Sequence, residues 1–227
     1  MTDCRKVEVS MLGGLPPVVP PALGGASPRA VALPPIRETG VPLRRVADRL
    51  TVLPVYSWLN LPGAPSDLLL REEALDRLCR AERRLPPGFG IVVIDGWRSR
   101  AFQTELRKHY SCHASPELGD FVADPDSSRQ IPPHVTGGAA DLTLSWSGTA
   151  LGLGTDFDSF TPEAAVDAFE GHTGGEDIVR DLRRLLSCVL SAEGFIADPL
   201  EWWHWSYGDQ WWAKVRNVTT APYGELT

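Results

Sequence analysis

The sequence predicts an α+β fold in which helices pack on a central antiparallel sheet. Two observations support this fold class. Helical and strand patterns are mixed along the chain without a strict alternation of strand and helix, and the last two apolar runs have the spacing of a hairpin. The 227 residues can enclose a sizeable core, and their 43% hydrophobic and 22% charged content is typical of a globular protein.

The chain begins with a segment that is too rich in proline and glycine for a long helix or a central strand. Residues 1–40 contain seven prolines and five glycines. Regular patterns start only after this segment. We therefore divide the chain into a Pro/Gly-rich N-terminal arm over residues 1–45 and a single domain over residues 46–227.

Two helices and a strand are predicted in the segment that follows the arm. Ser66 is placed to cap a helix that runs to about Arg84, because leucines recur there on one side. The β-branched run over residues 90–95 predicts a buried strand. Ser99 is placed to cap the second helix, which runs to about His109.

The next part of the chain adds a loop, a strand and two helices. Residues 111–133 predict a long loop of the kind that often carries function, and residues 139–144 predict a strand. Thr161 followed by Pro162 predicts a helix start with the hydroxyl as its cap. Apolar positions over residues 176–192 recur at helical spacing and predict an amphipathic helix.

The C-terminal part is rich in tryptophan and predicts two further strands. Apolar runs over residues 202–206 and 211–215 flank Tyr207-Gly208-Asp209-Gln210, a connection typical of a hairpin. The tryptophans of these runs are better explained by core and hairpin packing than by a platform for a ligand.

Composition and charge exclude several classes of protein. The net charge of −7, from 22 basic and 29 acidic residues, argues against a nucleic-acid-binding surface, which usually carries a basic excess. No apolar run approaches the ~20 residues that span a bilayer. Prolines interrupt the apolar stretch over residues 12–23, so that it does not predict a signal peptide. We expect a cytoplasmic protein.

The cysteines predict neither a disulfide framework nor a thiolate metal site. They lie far apart and form no C-x-x-C motif, which is typical of thiols in a reducing compartment. These residues are Cys4, Cys79, Cys112 and Cys188.

Two of the five histidines have neighbours that suggest a metal site. His134 opens a block that continues through Gly137 and Gly138 to Asp141, and His204 ends the sequence Glu-Trp-Trp-His. Two imidazoles and one carboxylate suit an open zinc site, in which a fourth position remains for water. The paired glycines allow the backbone to bend so that His134 and Asp141 converge.

Glu201 and Arg98 are suited to assist such a site. A hydrolytic zinc site needs a base that takes a proton from water, and Glu201 precedes His204 by three positions. Because alternate residues of a strand face opposite sides, Glu201 reaches the same site only from outside a regular strand. Arg98 follows the predicted strand that ends at Asp95, where a guanidinium can stabilise an oxyanion.

Each of these residues also has a plainer explanation. A single histidine beside a strand is more often a core or surface residue than a ligand, and an arginine such as Arg98 is most often exposed or ion-paired. His109 and His113 have the i, i+4 spacing of helical metal ligands, but the residues between them resemble a helix end. Spacing alone therefore leaves both a zinc site and a structural role open.

Five ordered blocks resemble the D-alanyl-D-alanine dipeptidases (the VanX type) and the related zinc D,D-carboxypeptidases. The likeness extends from about residue 66 to residue 215, and the order of the blocks makes it more specific than either histidine motif. The blocks are Asp95-Gly96-Trp97-Arg98, residues 132–141 around His134, Gly154-Thr155-Asp156-Phe157-Asp158, Arg183-Arg184-Leu185-Leu186 with Gly194-Phe195, and Glu201-Trp202-Trp203-His204 with the following residues 205–209.

The resemblance implies a hedgehog/D,D-peptidase-like fold for the single domain and one Zn²⁺ per chain. It implies that the zinc ligands are His134, Asp141 and His204. It further implies that Glu201 is the catalytic base and that Arg98 stabilises the developing oxyanion.

The same resemblance assigns residues to substrate binding. Asp158 matches a family aspartate that holds the free amino group of the substrate, and we also assign Tyr56 and Trp203 to the substrate. Tyr56 lies in Val55-Tyr56-Ser57-Trp58-Leu59-Asn60-Leu61, the nearest counterpart of an N-terminal family segment. The family serine two residues before the first ligand is replaced by Pro132, which offers neither a hydroxyl nor an N–H.

These features predict a zinc metallopeptidase, and specifically a dipeptidase that acts on D-Ala-D-Ala or on an altered substrate, with a role in the cell wall. The expected partner is a small peptide with a free amino terminus, and neither nucleic acid nor a membrane span is expected. Two alternatives remain. One is a D,D-carboxypeptidase for longer cell-wall peptides, and the other is a non-catalytic zinc-binding interaction module of the hedgehog type.

Overall fold

The computed structural model describes residues 1–9, 12, 14–20, 32–111, 123–124, 126–127, 130–172, 174 and 176–226. Within these residues the strands are β1 Thr2–Asp3, β2 Leu43–Arg45, β3 Thr51–Val52, β4 Leu69–Arg71, β5 Phe89–Asp95, β6 Ala139–Trp146, β7 Thr149–Gly152, β8 Ile196–Ala197 and β9 His204–Ser206. The α-helices are α1 Val55–Trp58, α2 Glu72–Glu82, α3 Arg100–Ser111, α4 Asp177–Ala192 and α5 Gln210–Val215. The predicted α+β class is confirmed.

One mixed sheet organises the fold, and β6 lies at its centre. β5 pairs with one edge of β6, while β7 and β9 share the other edge, and all three pairings are antiparallel. The flanking strands β1 and β3 pair in parallel with β7 and β5. The sheet is therefore antiparallel in its centre, as predicted, and mixed at its flanks.

The helix predicted from Ser66 to Arg84 starts later in the structure. The strand β4 first pairs with β2, and α2 begins only at Glu72. Glu72 and Glu73 occupy the first turn of α2, where carboxylates favour the positive end of the helix dipole. The prediction of Ser66 as the helix cap is wrong, because pairing with a distant strand decides the conformation of the residues before α2.

The predicted C-terminal hairpin is also wrong in its second arm. Residues 204–206 form β9, but residues 210–215 form α5. The side chain of Asp209 accepts a hydrogen bond from the Trp212 backbone N–H at 2.8 Å and so caps the helix. The capping aspartate before this apolar run therefore favours a helix over the predicted strand.

Other predicted elements are close to the observed ones. Ser99 caps α3, since its Oγ accepts from the Phe102 N–H at 3.1 Å. The strand predicted at 139–144 and the helix predicted at 176–192 match β6 and α4. The helix predicted at Thr161 is only the 3₁₀ turn Pro162–Ala164, without a side-chain cap. Much of the loop predicted over residues 111–133 lies outside the described residues.

Helix packing and the chain termini complete the fold around the sheet. α2 and α4 pack against each other, and α4 also packs on β6 and β8. The segment around Ile36 lies beside the C-terminal segment through a parallel bridge to Ala221. Among the described residues, every helix is too short or too polar to span a lipid bilayer.

A buried arginine of α4 forms hydrogen bonds to the backbone of the segment that follows β7. Arg183 is 2% exposed, and its guanidinium donates to three carbonyl oxygens, those of Leu153 at 2.8 Å, Ala165 at 2.6 Å and Glu163 at 2.9 Å. These carbonyls flank the segment that carries Asp158. Because a buried carbonyl without a donor is costly, Arg183 stabilises the folded segment through all three bonds.

We predict that Arg183→Leu lowers the free energy of unfolding by at least about 2 kcal/mol, because it leaves buried carbonyls unpaired. Denaturant unfolding followed by circular dichroism measures this change. Arg44→Leu is the matched control, since Arg44 forms an exposed ion pair with Glu72 at 2.8 Å and its loss costs about 1 kcal/mol or less. Equal losses in the two variants would contradict the assignment.

Candidate active site

His134 is oriented by the loop between α3 and β6. It lies in the 3₁₀ turn Pro133–Thr136, which Gly137 ends in the left-handed region at φ +73°. Its Nδ1 is 2.7 Å from the carbonyl oxygen of Gly96, which can only accept a hydrogen bond. Nδ1 therefore carries the proton, and the lone pair of Nε2 is available on the other side of the ring.

Asp141 and His204 are paired on the neighbouring strands β6 and β9. The ladder between β6 and β9 places Asp141 opposite His204, and Nδ1 of the histidine is 3.1 Å from Oδ1 of the aspartate. The Nε2 of His204 lies 3.4 Å from the hydroxyl of Ser206. The sheet register therefore fixes the relative position of these two side chains.

The three side chains form a compact and buried donor cluster. His134 Nε2 lies 3.1 Å from His204 Nδ1 and 3.3 Å from Asp141 Oδ1. The exposed fractions of the three residues are 6% or less. Tetrahedron corners at these separations lie about 2 Å from the centre, which matches the ~2.0–2.2 Å length of zinc bonds to nitrogen and oxygen. The cluster therefore fits a metal ion bound by two imidazoles and a carboxylate.

The charged groups of the cluster shift one another's pKa values. Burial alone raises the pKa of Asp141, but the neighbouring imidazoles of His134 and His204 outweigh burial and hold this pKa far below its usual value. Burial lowers the pKa of His204, while Asp141 more than compensates and raises it to about 9. A carboxylate that stabilises positive charge so strongly is also suited to a cation.

Glu201 lies outside the regular strand, as it must if it is to reach the same site as His204. It precedes β9, separated from His204 by a turn at residues 202–203, and so is not constrained by strand alternation. Its Oε2 lies 3.9 Å from Nδ1 of His204. The carboxylate of Glu201 and the donor cluster therefore line the same cavity.

Arg98 is buried beside the cluster and is bound on several sides. Its Nε donates to Oδ2 of Asp95 at 2.5 Å, and its Nη1 donates to Oε1 of Gln103 at 3.1 Å. Its Nη2 donates to Oδ2 of Asp141 at 3.2 Å and to the hydroxyl of Tyr56 at 3.4 Å. These bonds fix the guanidinium at the edge of the donor cluster.

One cavity is lined by all the residues that the sequence predicts for the site. Pro132 also lines the cavity. The selected residues on the cavity wall are Tyr56, Arg98, His134, Asp141, Asp158, Glu201, Trp203 and His204.

Asp158 lies in the cavity wall between two tyrosines. The hydroxyls of Tyr56 and Tyr110 both donate to its Oδ2, the former at 2.8 Å. Burial raises the pKa of Asp158 to about 7, although the two hydroxyls act in the opposite direction. Trp203 belongs to the same wall and packs edge-on against Phe157, with ring centroids 5.6 Å apart.

Three further residues contact the site, and no role there was predicted for them from the sequence. Tyr110 and Gln103 lie on α3, and only the tertiary structure brings them to Asp158 and Arg98. Asp95 is fully buried, and among the described residues its Oδ1 has no hydrogen-bond partner. A charged residue at the end of an apolar strand was a usable sign for Asp95. The His109–His113 pair stays untested, because His113 lies outside the described residues.

Comparison with a model of a protein family identifies the family of this chain. The peptidase M15 model, described as D-ala-D-ala dipeptidase, matches residues 67–220, which is more than half of the chain. The chain belongs to the peptidase M15 family. The predicted resemblance is thereby confirmed, and the protein is a peptidase of a family of metallopeptidases.

Relatives of this M15 peptidase carry a consistent name. A Synechocystis protein named D-alanyl-D-alanine dipeptidase is 28% identical over 219 residues, or 81% of this chain and 88% of the relative. Proteins of the same name from Streptomyces coelicolor and Enterococcus faecium are 29% and 27% identical, and each alignment covers 68% of this chain and 83% of the relative. The similarity therefore spans most of each relative.

The second glycine after His134 is required by close packing. A Cβ at Gly138 would lie 2.2 Å from the carbonyl oxygen of Tyr207. We therefore predict that Gly138→Ala shifts the loop that carries His134 and lowers the free energy of unfolding by about 1–3 kcal/mol. Gly171→Ala is the control, since a Cβ there meets no atom within 4 Å. Denaturant unfolding compares the two, and a Gly138→Ala protein as stable as the control would refute the prediction.

Proposed function

We propose that this M15 peptidase is a zinc-dependent dipeptidase for small peptides of the D-Ala-D-Ala type. In this proposal His134, Asp141 and His204 hold one zinc ion per chain. The observation that carries the proposal is the spacing of their donor atoms, 3.1–3.3 Å, beside Glu201 in a cavity that Asp158 also lines. The names of the relatives support the choice of substrate.

In the proposed reaction, water adds to the scissile carbonyl and the peptide C–N bond breaks. A zinc ion at the site would polarise this carbonyl and increase the acidity of the attacking water. Glu201 accepts the proton that the water loses and delivers it to the leaving amine. Its position beside His204, outside the regular strand, suits both transfers.

We assign the developing negative charge of the carbonyl oxygen to Arg98. The guanidinium is held in place by Asp95 and Gln103, so that little reorganisation is needed when charge develops. Its remaining contacts, to Asp141 and Tyr56, keep it at the cavity wall.

We assign the amino terminus of the substrate to Asp158, with Tyr56 and Trp203 forming the adjacent wall. A partly buried carboxylate pairs favourably with an ammonium group, whereas an acylated nitrogen leaves the charge of Asp158 without a partner. This preference favours dipeptides over the longer cell-wall peptides that a D,D-carboxypeptidase would cleave.

We further propose that residues 46–227 form the single catalytic domain and that its arrangement is of the hedgehog/D,D-peptidase type. The family match over residues 67–220 lies entirely within this domain. The arm at residues 1–45 contributes β1 and β2 to the sheets of the protein.

We predict that the zinc-reconstituted protein retains about one zinc ion per chain after dialysis, and that His134→Ala and His204→Ala retain far less. The reason is the loss of one of three protein ligands. Elemental analysis by mass spectrometry gives the zinc content. His172→Ala is the control, because His172 is exposed and lies outside the cluster. An equal loss of zinc in the control, or full retention in the ligand variants, would contradict the site.

We predict that the protein releases D-alanine from D-Ala-D-Ala and that Glu201→Gln lowers kcat by about 10²–10⁴-fold while zinc is retained, because the proton acceptor is lost. Release of free amino acid is the measurement, and Glu163→Gln is the control at an exposed position. Near-normal turnover in Glu201→Gln would exclude the proposed base. Cleavage of other dipeptides but not of D-Ala-D-Ala would keep the chemistry and change the substrate.

We predict that N-acetylation of the dipeptide lowers kcat/KM by about 10–100-fold, because Asp158 then loses its ammonium partner. Steady-state rates on D-Ala-D-Ala and N-acetyl-D-Ala-D-Ala give this ratio. Faster cleavage of the acetylated peptide would instead support the carboxypeptidase alternative.

A further inference from the structure

Tyr110 lines the cavity and takes no part in the proposed reaction steps. It lies in the last turn of α3, and its hydroxyl donates to Oδ2 of Asp158. Tyr56, from α1, donates to the same oxygen at 2.8 Å. Asp158 is therefore held between hydroxyls that arrive from two different helices.

We infer that Tyr110 is a specificity-determining residue, whose hydroxyl positions Asp158 to accept the free amino group of the substrate. The inference rests on the proposed function, because it requires Asp158 to bind that amino group. In this role Tyr110 acts through Asp158, and it determines how strongly the enzyme prefers an unacylated dipeptide.

The backbone of Asp158 shows why the carboxylate needs such support. Asp158 has φ +58°, in the left-handed region that residues with a side chain rarely adopt. A residue in this conformation persists only when its surroundings hold it. The two tyrosine hydroxyls help to hold Asp158 in this conformation through their hydrogen bonds to its carboxylate, and the same bonds fix the position of the carboxylate.

The hydroxyls also favour the charged form of Asp158, which is the form that pairs with an ammonium group. Burial raises the pKa of Asp158, the negative charge of Asp141 raises it further, and hydrogen bonds from Tyr110 and Tyr56 lower it, as does the charge of Arg98. Loss of the Tyr110 hydroxyl therefore raises this pKa and depletes the ionised carboxylate near neutral pH.

Aromatic rings surround this carboxylate and suit the same ligand. Tyr110 packs edge-on against Phe160, with ring centroids 4.9 Å apart, and Tyr56 packs against Phe157 at 5.7 Å. Ring faces near a carboxylate attract a cationic group through their quadrupoles. Tyr110 therefore contributes its hydroxyl to a corner of the cavity in which aromatic rings lie beside the carboxylate.

The two tyrosines differ in a way that separates binding from catalysis. The Tyr56 hydroxyl accepts a hydrogen bond from Nη2 of Arg98 at 3.4 Å, so its removal disturbs the proposed oxyanion site as well. The Tyr110 hydroxyl contacts Asp158. Tyr110→Phe is therefore expected to alter substrate binding, and Tyr56→Phe is expected to alter binding and kcat together.

The test is steady-state kinetics of Tyr110→Phe on D-Ala-D-Ala and on its N-acetyl form. We expect KM for the free dipeptide to rise roughly 10–100-fold, the range for a hydrogen bond to a charged group, with kcat nearly unchanged. The preference for the free over the acetylated dipeptide falls by a similar factor. Tyr223→Phe is the matched control, since it removes a hydroxyl that donates to Glu73 at 3.2 Å, and it leaves these constants unchanged.

The pH dependence of kcat/KM provides a second readout. Ionised Asp158 is lost as the pH falls through its pKa, so that activity on the free dipeptide falls on the acid side. Removal of the Tyr110 hydroxyl raises the pKa of Asp158 and moves this acid limb to higher pH. A purely structural role of Tyr110 would lower activity without moving the limb, and that result would overturn the inference.

Asp158→Asn separates failure of this inference from failure of the proposed function. We expect this variant to raise KM for the free dipeptide at least as much as Tyr110→Phe does. If Asp158→Asn raises KM and Tyr110→Phe behaves like Tyr223→Phe, the role of Tyr110 is wrong and the ammonium site stands. If Asp158→Asn leaves KM unchanged, the assignment of the ammonium site is wrong, and the role of Tyr110 falls with it.

Discussion

The buried carboxylate of Asp141 is the group on which the site depends. Its Oδ1 lies 3.3 Å from His134 and 3.1 Å from His204, while its Oδ2 accepts from Arg98 at 3.2 Å. A charge in a protein interior is tolerated only when it is paired. The neighbours of Asp141 therefore stabilise its charge, and Asp141 in turn stabilises theirs. Removal of any one of them leaves an uncompensated charge or an unsupported imidazole.

The sheet provides the rigidity that this arrangement needs. Asp141 lies on β6 opposite both Asp95 on β5 and His204 on β9, and the β5–β6 register shifts near Asp95. Irregularities of this kind redirect side chains at functional sites. Hydrogen bonds then continue outward from Asp141 through Arg98 and Tyr56 to Asp158. The metal-ligand candidates and the substrate-binding candidates therefore belong to one connected network.

The sequence indicated a set of candidate site residues that line one cavity in the structure, whereas it misassigned parts of the secondary structure around them. Residue type and spacing made His134, Asp141 and His204 candidates for a metal site, and the resemblance to a known family favoured that role over a structural one. Local patterns failed where distant pairing decides the conformation, as at β4, whose partner β2 lies more than twenty residues earlier. They also failed at α5, where the capping effect of Asp209 outweighed the strand-like composition. Tyr110 was missed because only the packing of α3 brings it to Asp158.

X-ray absorption at the zinc edge of the reconstituted protein tests the central claim most directly, since it reports the ligands of the metal itself. The account predicts a first shell of nitrogen and oxygen atoms at about 2.0–2.2 Å, with two imidazoles per zinc and one fewer in His204→Ala. Sulfur scattering at about 2.3 Å, or an imidazole count that His204→Ala leaves unchanged, would contradict it.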